Sequence, residues 1–92
     1  MIKKYKGSFT VQNARGLHTR PSTEIVKCLT RFKSDVILKY KTTKVNGRSL
    51  MGILMLAAEK GARIEVNAQG DDAEEAVLAL QTLAREQFHI NY

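Results

Sequence analysis

Apolar or small and polar residues alternate through Tyr5-Lys6-Gly7-Ser8-Phe9-Thr10-Val11. A period of two marks a strand with one buried face, and it puts Lys4, Lys6, Ser8 and Thr10 in water. The pattern returns in Val36, Leu38 and Tyr40 against Asp35, Lys39 and Lys41. It returns again in Ile64, Val66 and Ala68 against Arg63, Glu65, Asn67 and Gln69. A weaker fourth strand runs through Thr43 to Asn46. Four strands with one polar face each predict an antiparallel sheet, covered by helices on one side and open to solvent on the other.

Between the strands the period lengthens. Ile25, Cys28, Leu29 and Phe32 stand at i, i+3, i+4 and i+7 after Pro21, which suits a first helical turn, so the first helix is expected over roughly residues 19 to 32. A short second helix fits Ser49 to Leu56, with Ser49 as its N-cap and Leu50, Ile53 and Leu54 as its apolar stripe. In the third, Asp71 and Asp72 precede Ala73, Ala76, Val77, Leu80, Leu83 and Ala84, and Glu74 and Glu75 suit the positive end of the helix dipole. That helix is expected to reach about Phe88. The order strand, helix, strand, strand, helix, strand, helix describes an α+β open-faced sandwich: a four-stranded antiparallel sheet with three helices on one face. No linker or repeat divides residues 1–92, which are expected to form a single domain.

Composition narrows the chemistry. Ninety-two residues that are 43% hydrophobic and 26% charged fit one small globular unit, too small for a deep enclosed active site. Chemistry is therefore expected at the surface. Cys28 is the sole cysteine, so no internal disulfide can form, and Cys28 with two separated histidines matches no zinc spacing. No metal and no cofactor is expected. The longest apolar run, Leu50 to Ala58, falls well short of the ~20 residues that span a bilayer, and MIKKYKGSFT lacks the apolar region of a signal peptide. The expected compartment is the reducing cytoplasm, without membrane insertion. Charge is lopsided: residues 1–49 carry twelve Lys/Arg against two Asp/Glu, and residues 50–92 carry three against seven. Such a basic half steers acidic partners by a long-range attraction that salt screens.

One segment combines these features into a candidate site. Arg15-Gly16-Leu17-His18-Thr19-Arg20-Pro21-Ser22 lies where the first strand has ended and the first helix begins, which places His18 at or next to an N-cap. The first N–H groups of a helix lack internal acceptors and, with the dipole, form a ready anion site. A phosphoryl group on His18 would meet them. Imidazole titrates near ~6.5 when unperturbed, so at cytoplasmic pH much of it is neutral and can attack phosphorus without a separate base. Arg20 offers a planar fork of donors to the same oxygens, and phosphoryl transfer depends mostly on such positioning. Gly16 is expected to leave room for a partner's backbone.

Gly16-Leu17-His18-Thr19-Arg20-Pro21 resembles the active-site motif of HPr, the histidine-containing phosphocarrier family of the bacterial sugar phosphotransferase system. Element order and length agree along nearly the whole chain. Arg48-Ser49-Leu50-Met51-Gly52-Ile53-Leu54-Met55 is similar to the segment around that family's regulatory serine. The resemblance implies that His18 accepts a phosphoryl group on Nδ1 from phosphorylated enzyme I and donates it to sugar-specific IIA proteins or domains. The chain would be a covalent intermediate, not a turnover enzyme, and it contains no ATP-binding loop. It implies a docking surface at Gly16, Thr19, Thr23, Lys27, Arg48, Leu50 and Met51, and phosphorylation of Ser49 by HPr kinase as a regulatory signal. A monomer is expected. The sequence departs from the family pattern at Arg15, Ser22, Thr23 and Gly47, and its basic excess is atypical.

Two other readings use the same residues. A regulatory protein would keep the fold and act through phosphorylated Ser49 on a transcription factor or enzyme, which leaves His18 and Arg20 unexplained. A basic RNA-binding module would lay nucleic acid across the open sheet. The alternation opposes it, since Tyr5, Phe9 and Tyr40 fall on the apolar face and leave no outward aromatic for stacking. No nucleic-acid partner is expected.

Overall fold

The computed structural model describes residues 3–90. Strands β1 (Lys4–Thr10), β2 (Asp35–Tyr40), β3 (Thr43–Asn46) and β4 (Arg63–Gln69) alternate with helices α1 (Thr19–Leu29), α2 (Leu50–Met55) and α3 (Ala73–Arg85) in the expected order. The strands form one sheet in the order β1-β4-β2-β3, and every pairing is antiparallel. The register sets Phe9 opposite Ile64 and Leu38 opposite both Val66 and Val45, so the inward residues meet on one face. Ile25 and Leu29 of α1 and Val77 and Leu80 of α3 are buried with Leu38, Ile64 and Val66 of the sheet. Each fully buried side chain of this size contributes roughly 1.5–3 kcal/mol.

Two helices end earlier than their periodicity suggests, and each stop has a cause elsewhere in the chain. After Leu29 the ladder tightens: the Arg31 and Phe32 amides donate to carbonyls three residues back, so Phe32 lies beyond α1. The carbonyls of Leu29, Phe32 and Ser34 accept from the Arg48 guanidinium. At the other end of the fold, α3 stops at Arg85, not Phe88, because Gln87, Phe88 and His89 take φ of 53°, 55° and 62°. This short left-handed turn drives Phe88 into the core, edge-on to Phe9 at 5.9 Å between ring centroids. The Asn13 side-chain amide holds it there, donating to the Gln87 carbonyl at 2.9 Å and the Ile90 carbonyl at 3.0 Å.

Asp72 shows a comparable long reach. Its carboxylate makes no capping bond to α3; it accepts from the Lys33 and Ser34 amides at 2.9 Å and from the Ser34 hydroxyl, tying α3 to the start of β2. The Ser34 hydroxyl, and after it the Lys33 amide, hold this carboxyl below its ordinary value of 3.8. A group whose pKa is depressed by folding stabilises the native state above its unfolded value, and that contribution disappears as pH falls through the folded value. Denaturant midpoints for the wild type and Asp72→Asn are therefore expected to differ at neutral pH and to converge in acid below the ordinary carboxylate range.

Candidate functional site

The loop from Val11 to His18 is pinned before it enters α1. The Val11 amide donates to the Ala62 carbonyl, the Gly61 amide to the Val11 carbonyl and the Leu17 amide to the Ala58 carbonyl, at 2.9, 2.8 and 2.9 Å. Gly16 turns the chain with φ +68°. It is buried, and a Cβ there would stand 2.3 Å from the Ala58 carbonyl oxygen. The expectation that Gly16 makes room for a partner is corrected: the space beside it is filled by the protein's own backbone.

His18 follows as the N-cap of α1, with extended backbone angles and no side-chain capping bond. Its ring is half-buried and its carbonyl accepts the first helical bond, from the Ser22 amide at 3.1 Å. Thr19 and Arg20 lead the helix, so their amides have no carbonyl four residues back, and Pro21 has no amide to place. Ser22 locks the entry, its hydroxyl donating to the Leu17 carbonyl at 3.1 Å. Thr19 and Arg20 are exposed, and Arg20 borders a hollow of ≈250 Å³ walled by Thr23, Glu24, Phe88, His89 and Ile90. His18, the leading amides and Arg20 thus share the first turn of α1.

The second motif sits at the far end of α1. Because Arg48 reaches the Leu29 carbonyl while Leu17 bonds to Ala58, α2 runs antiparallel to α1. Ser49 caps α2 by accepting from the Gly52 amide at 3.0 Å, and the length of α1 separates it from His18 by about 16 Å. Between these ends α2 exposes Leu50 (36%), Met51 (70%) and Met55 (74%).

A model of the family described as "PTS HPr component phosphorylation site" matches residues 5–86. The chain belongs to the HPr family. It is 42% identical over 78 residues to phosphocarrier protein HPr of Neisseria meningitidis serogroup A, covering 85% of this chain and 88% of that one. It superposes with a TM-score of 0.90 on crystalline HPr from Thermoanaerobacter tengcongensis, at 33% identity, covering 96% and 99% of the two chains. HPr from Bacillus anthracis gives 0.83, also at 33% identity, over 88% and 96%. The family carries phosphoryl groups for the phosphotransferase system, and this HPr-like sheet and helix arrangement is that of a phosphocarrier.

Set against the surface inferred from resemblance to HPr, the side chains divide. Thr19, Lys27, Leu50 and Met51 are exposed and Thr23 is half-buried, with its hydroxyl on the Thr19 carbonyl at 2.8 Å. Arg48 is half-buried, and its guanidinium donates to three backbone carbonyls, clamping the end of α1. Replacing Arg48 with Met is expected to cost about 2–3 kcal/mol, because charge-assisted hydrogen bonds to carbonyls are lost together. Urea denaturation measures it, with Arg48→Lys recovering only part of the loss. Sequence reasoning missed Met55, which lies one turn beyond Met51 on the outward side of α2. That i, i+4 methionine pair was the available signal.

Proposed function

We propose that this HPr-family carrier accepts a phosphoryl group from phosphorylated enzyme I on His18 Nδ1 and hands it to IIA proteins or domains. The observation supporting this reading is the position of His18 as N-cap of α1, with the Thr19 and Arg20 amides leading the helix behind it. In the transfer the imidazole lone pair forms a new P–N bond as the donor's P–N bond breaks, and no separate base is required. The terminal oxygens then meet the leading amides, and Arg20 supplies a guanidinium to the same charge. Leu50, Met51 and Met55 form a modest apolar docking patch, suited to short-lived complexes of a cytoplasmic monomer that must release each partner. Incubation with enzyme I and phosphoenolpyruvate tests the reading: the product is expected to hold one phosphate, labile in acid and stable in base. An acid-stable, base-labile phosphate, or none, would overturn it.

Phosphorylation of Ser49 by HPr kinase fits the same surface as a brake. The added charge would lie about 16 Å from His18 by the length of α1, beyond the ~8 Å Debye length of physiological salt. It would act on docking over Leu50 and Met51, not on the imidazole. Ser49→Asp is accordingly expected to keep the helix cap yet slow phosphorylation by enzyme I severalfold, more at low salt than at high. Ser49→Ala is expected to lose about 1 kcal/mol of stability while phosphorylation proceeds. Stopped-time transfer assays across a salt series separate the two.

A further inference from the structure

The open face of the sheet carries a feature that phosphoryl transfer at His18 does not use. Alternation and register put Lys4, Lys6, Lys39, Lys44 and Arg63 outward across all four strands, against only Asp35 and Glu65. In one row Ser8, Glu65, Lys39 and Lys44 are successive cross-strand neighbours; in the next the neighbours are Lys6, Asn67, Ile37 and Asn46. Lys6, Ile37, Lys39, Lys44, Glu65 and Asn67 line a shallow hollow of ≈360 Å³ at the centre. Among the described residues Glu65 makes one ion pair there, a loose 3.9 Å contact with Lys39. None of these residues belongs to the loops around His18 or to α2.

We infer that this face is a peripheral docking surface for an anionic lipid bilayer. Four strands spaced ~4.8 Å apart make a broad, gently twisted plane, and a plane of lipid phosphates can meet all five cations at once. Four of the five are lysines, compact charges suited to headgroups without fixed geometry. The face lacks what the other polyanions require: among the described residues no aromatic points outward for base stacking, since Tyr5 and Tyr40 pack against the core and Phe9 lies within it. Among the described residues it also lacks the apolar centre of a protein interface, Ile37 being the one large apolar side chain on it, at 36% exposure.

Cosedimentation with vesicles tests this without any phosphoryl donor, so its outcome is separate from the carrier reading. The protein is expected to pellet with phosphatidylglycerol/phosphatidylcholine vesicles, not with phosphatidylcholine alone, and to dissociate as salt rises. At about fivefold in partitioning per lysine, Lys6→Gln with Lys44→Gln is expected to weaken binding roughly 25-fold. The charge-matched pair Arg31→Gln with Lys60→Gln, in α1's exit and the loop before β4, is expected to bind like wild type. Equal losses in both pairs would reduce the effect to net charge and overturn the assignment, as would absence of anionic selectivity. Tighter, Lys6- and Lys44-dependent binding to a single-stranded oligonucleotide would overturn it in favour of nucleic acid.

Discussion

Replacing His18 with alanine is expected to abolish the acid-labile phosphate while lowering stability by less than about 1 kcal/mol. The separation between the two readouts follows from how the residue is held. Its backbone starts α1 and its carbonyl takes the Ser22 amide, and alanine retains both of these; its ring makes no capping bond to the helix. The start of α1 therefore does not depend on the imidazole, whereas no neighbour can replace a nitrogen nucleophile at that place. Arg20→Ala, assayed alongside, is expected to slow transfer by about 10- to 100-fold, the range for losing one charge-assisted hydrogen bond, without ending it. Phosphate that persists in His18→Ala would move the acceptor to His89, the chain's other histidine, and sink the assignment.

The two central strands were legible because each has one wet face, and their burial follows the alternation, as in Val36, Leu38, Ile64 and Val66 against Asp35, Ile37, Arg63 and Glu65. Helix ends were not, since periodicity records which face is apolar and not where a partner waits. Leu29 is the last residue of α1 in a chain whose Arg48 arrives nineteen positions later to take its carbonyl. The left-handed turn after α3 depends on Asn13, 74 residues upstream of Gln87. Local sequence carries no mark of either.

The site divides in the same way. The places of His18 at the N-cap and of Arg20 in the first turn of α1 were readable because a helix start is a local feature of the sequence. The clamp made by Arg48 was not readable, because the three carbonyls it satisfies lie fourteen to nineteen positions back in the chain. Met55 was overlooked because methionine on a short helix passes for core, yet it is more exposed than Met51.

Gly16 offers the sharpest test of how the site is built. Gly16→Ala is expected to destabilise the fold by about 3 kcal/mol or more, the sum of left-handed backbone strain and an overpacked contact. For a domain of this size that is a fall of at least about 12 °C in Tm. The new methyl would meet the Ala58 carbonyl oxygen at 2.3 Å and the Glu59 Cα at 2.9 Å, both backbone. Neither can swing aside as a side chain does. Moving Ala58 breaks its 2.9 Å bond from Leu17, and the loop is tied again by the Gly61–Val11 and Val11–Ala62 bonds. Gly61 supplies the control: it also has positive φ, +91°, but a Cβ there meets nothing within 4 Å. Gly61→Ala should thus cost only the conformational part, about 1–2 kcal/mol, and the difference between the two variants measures the contact with Ala58. Because His18 lies two residues beyond Gly16, Gly16→Ala should also slow phosphorylation under conditions where the variant is fully folded. Gly61→Ala should leave that rate unchanged. Equal destabilisation by the two alanines would mean that the loop yields freely, and that the placement of the imidazole does not depend on the 57–62 segment.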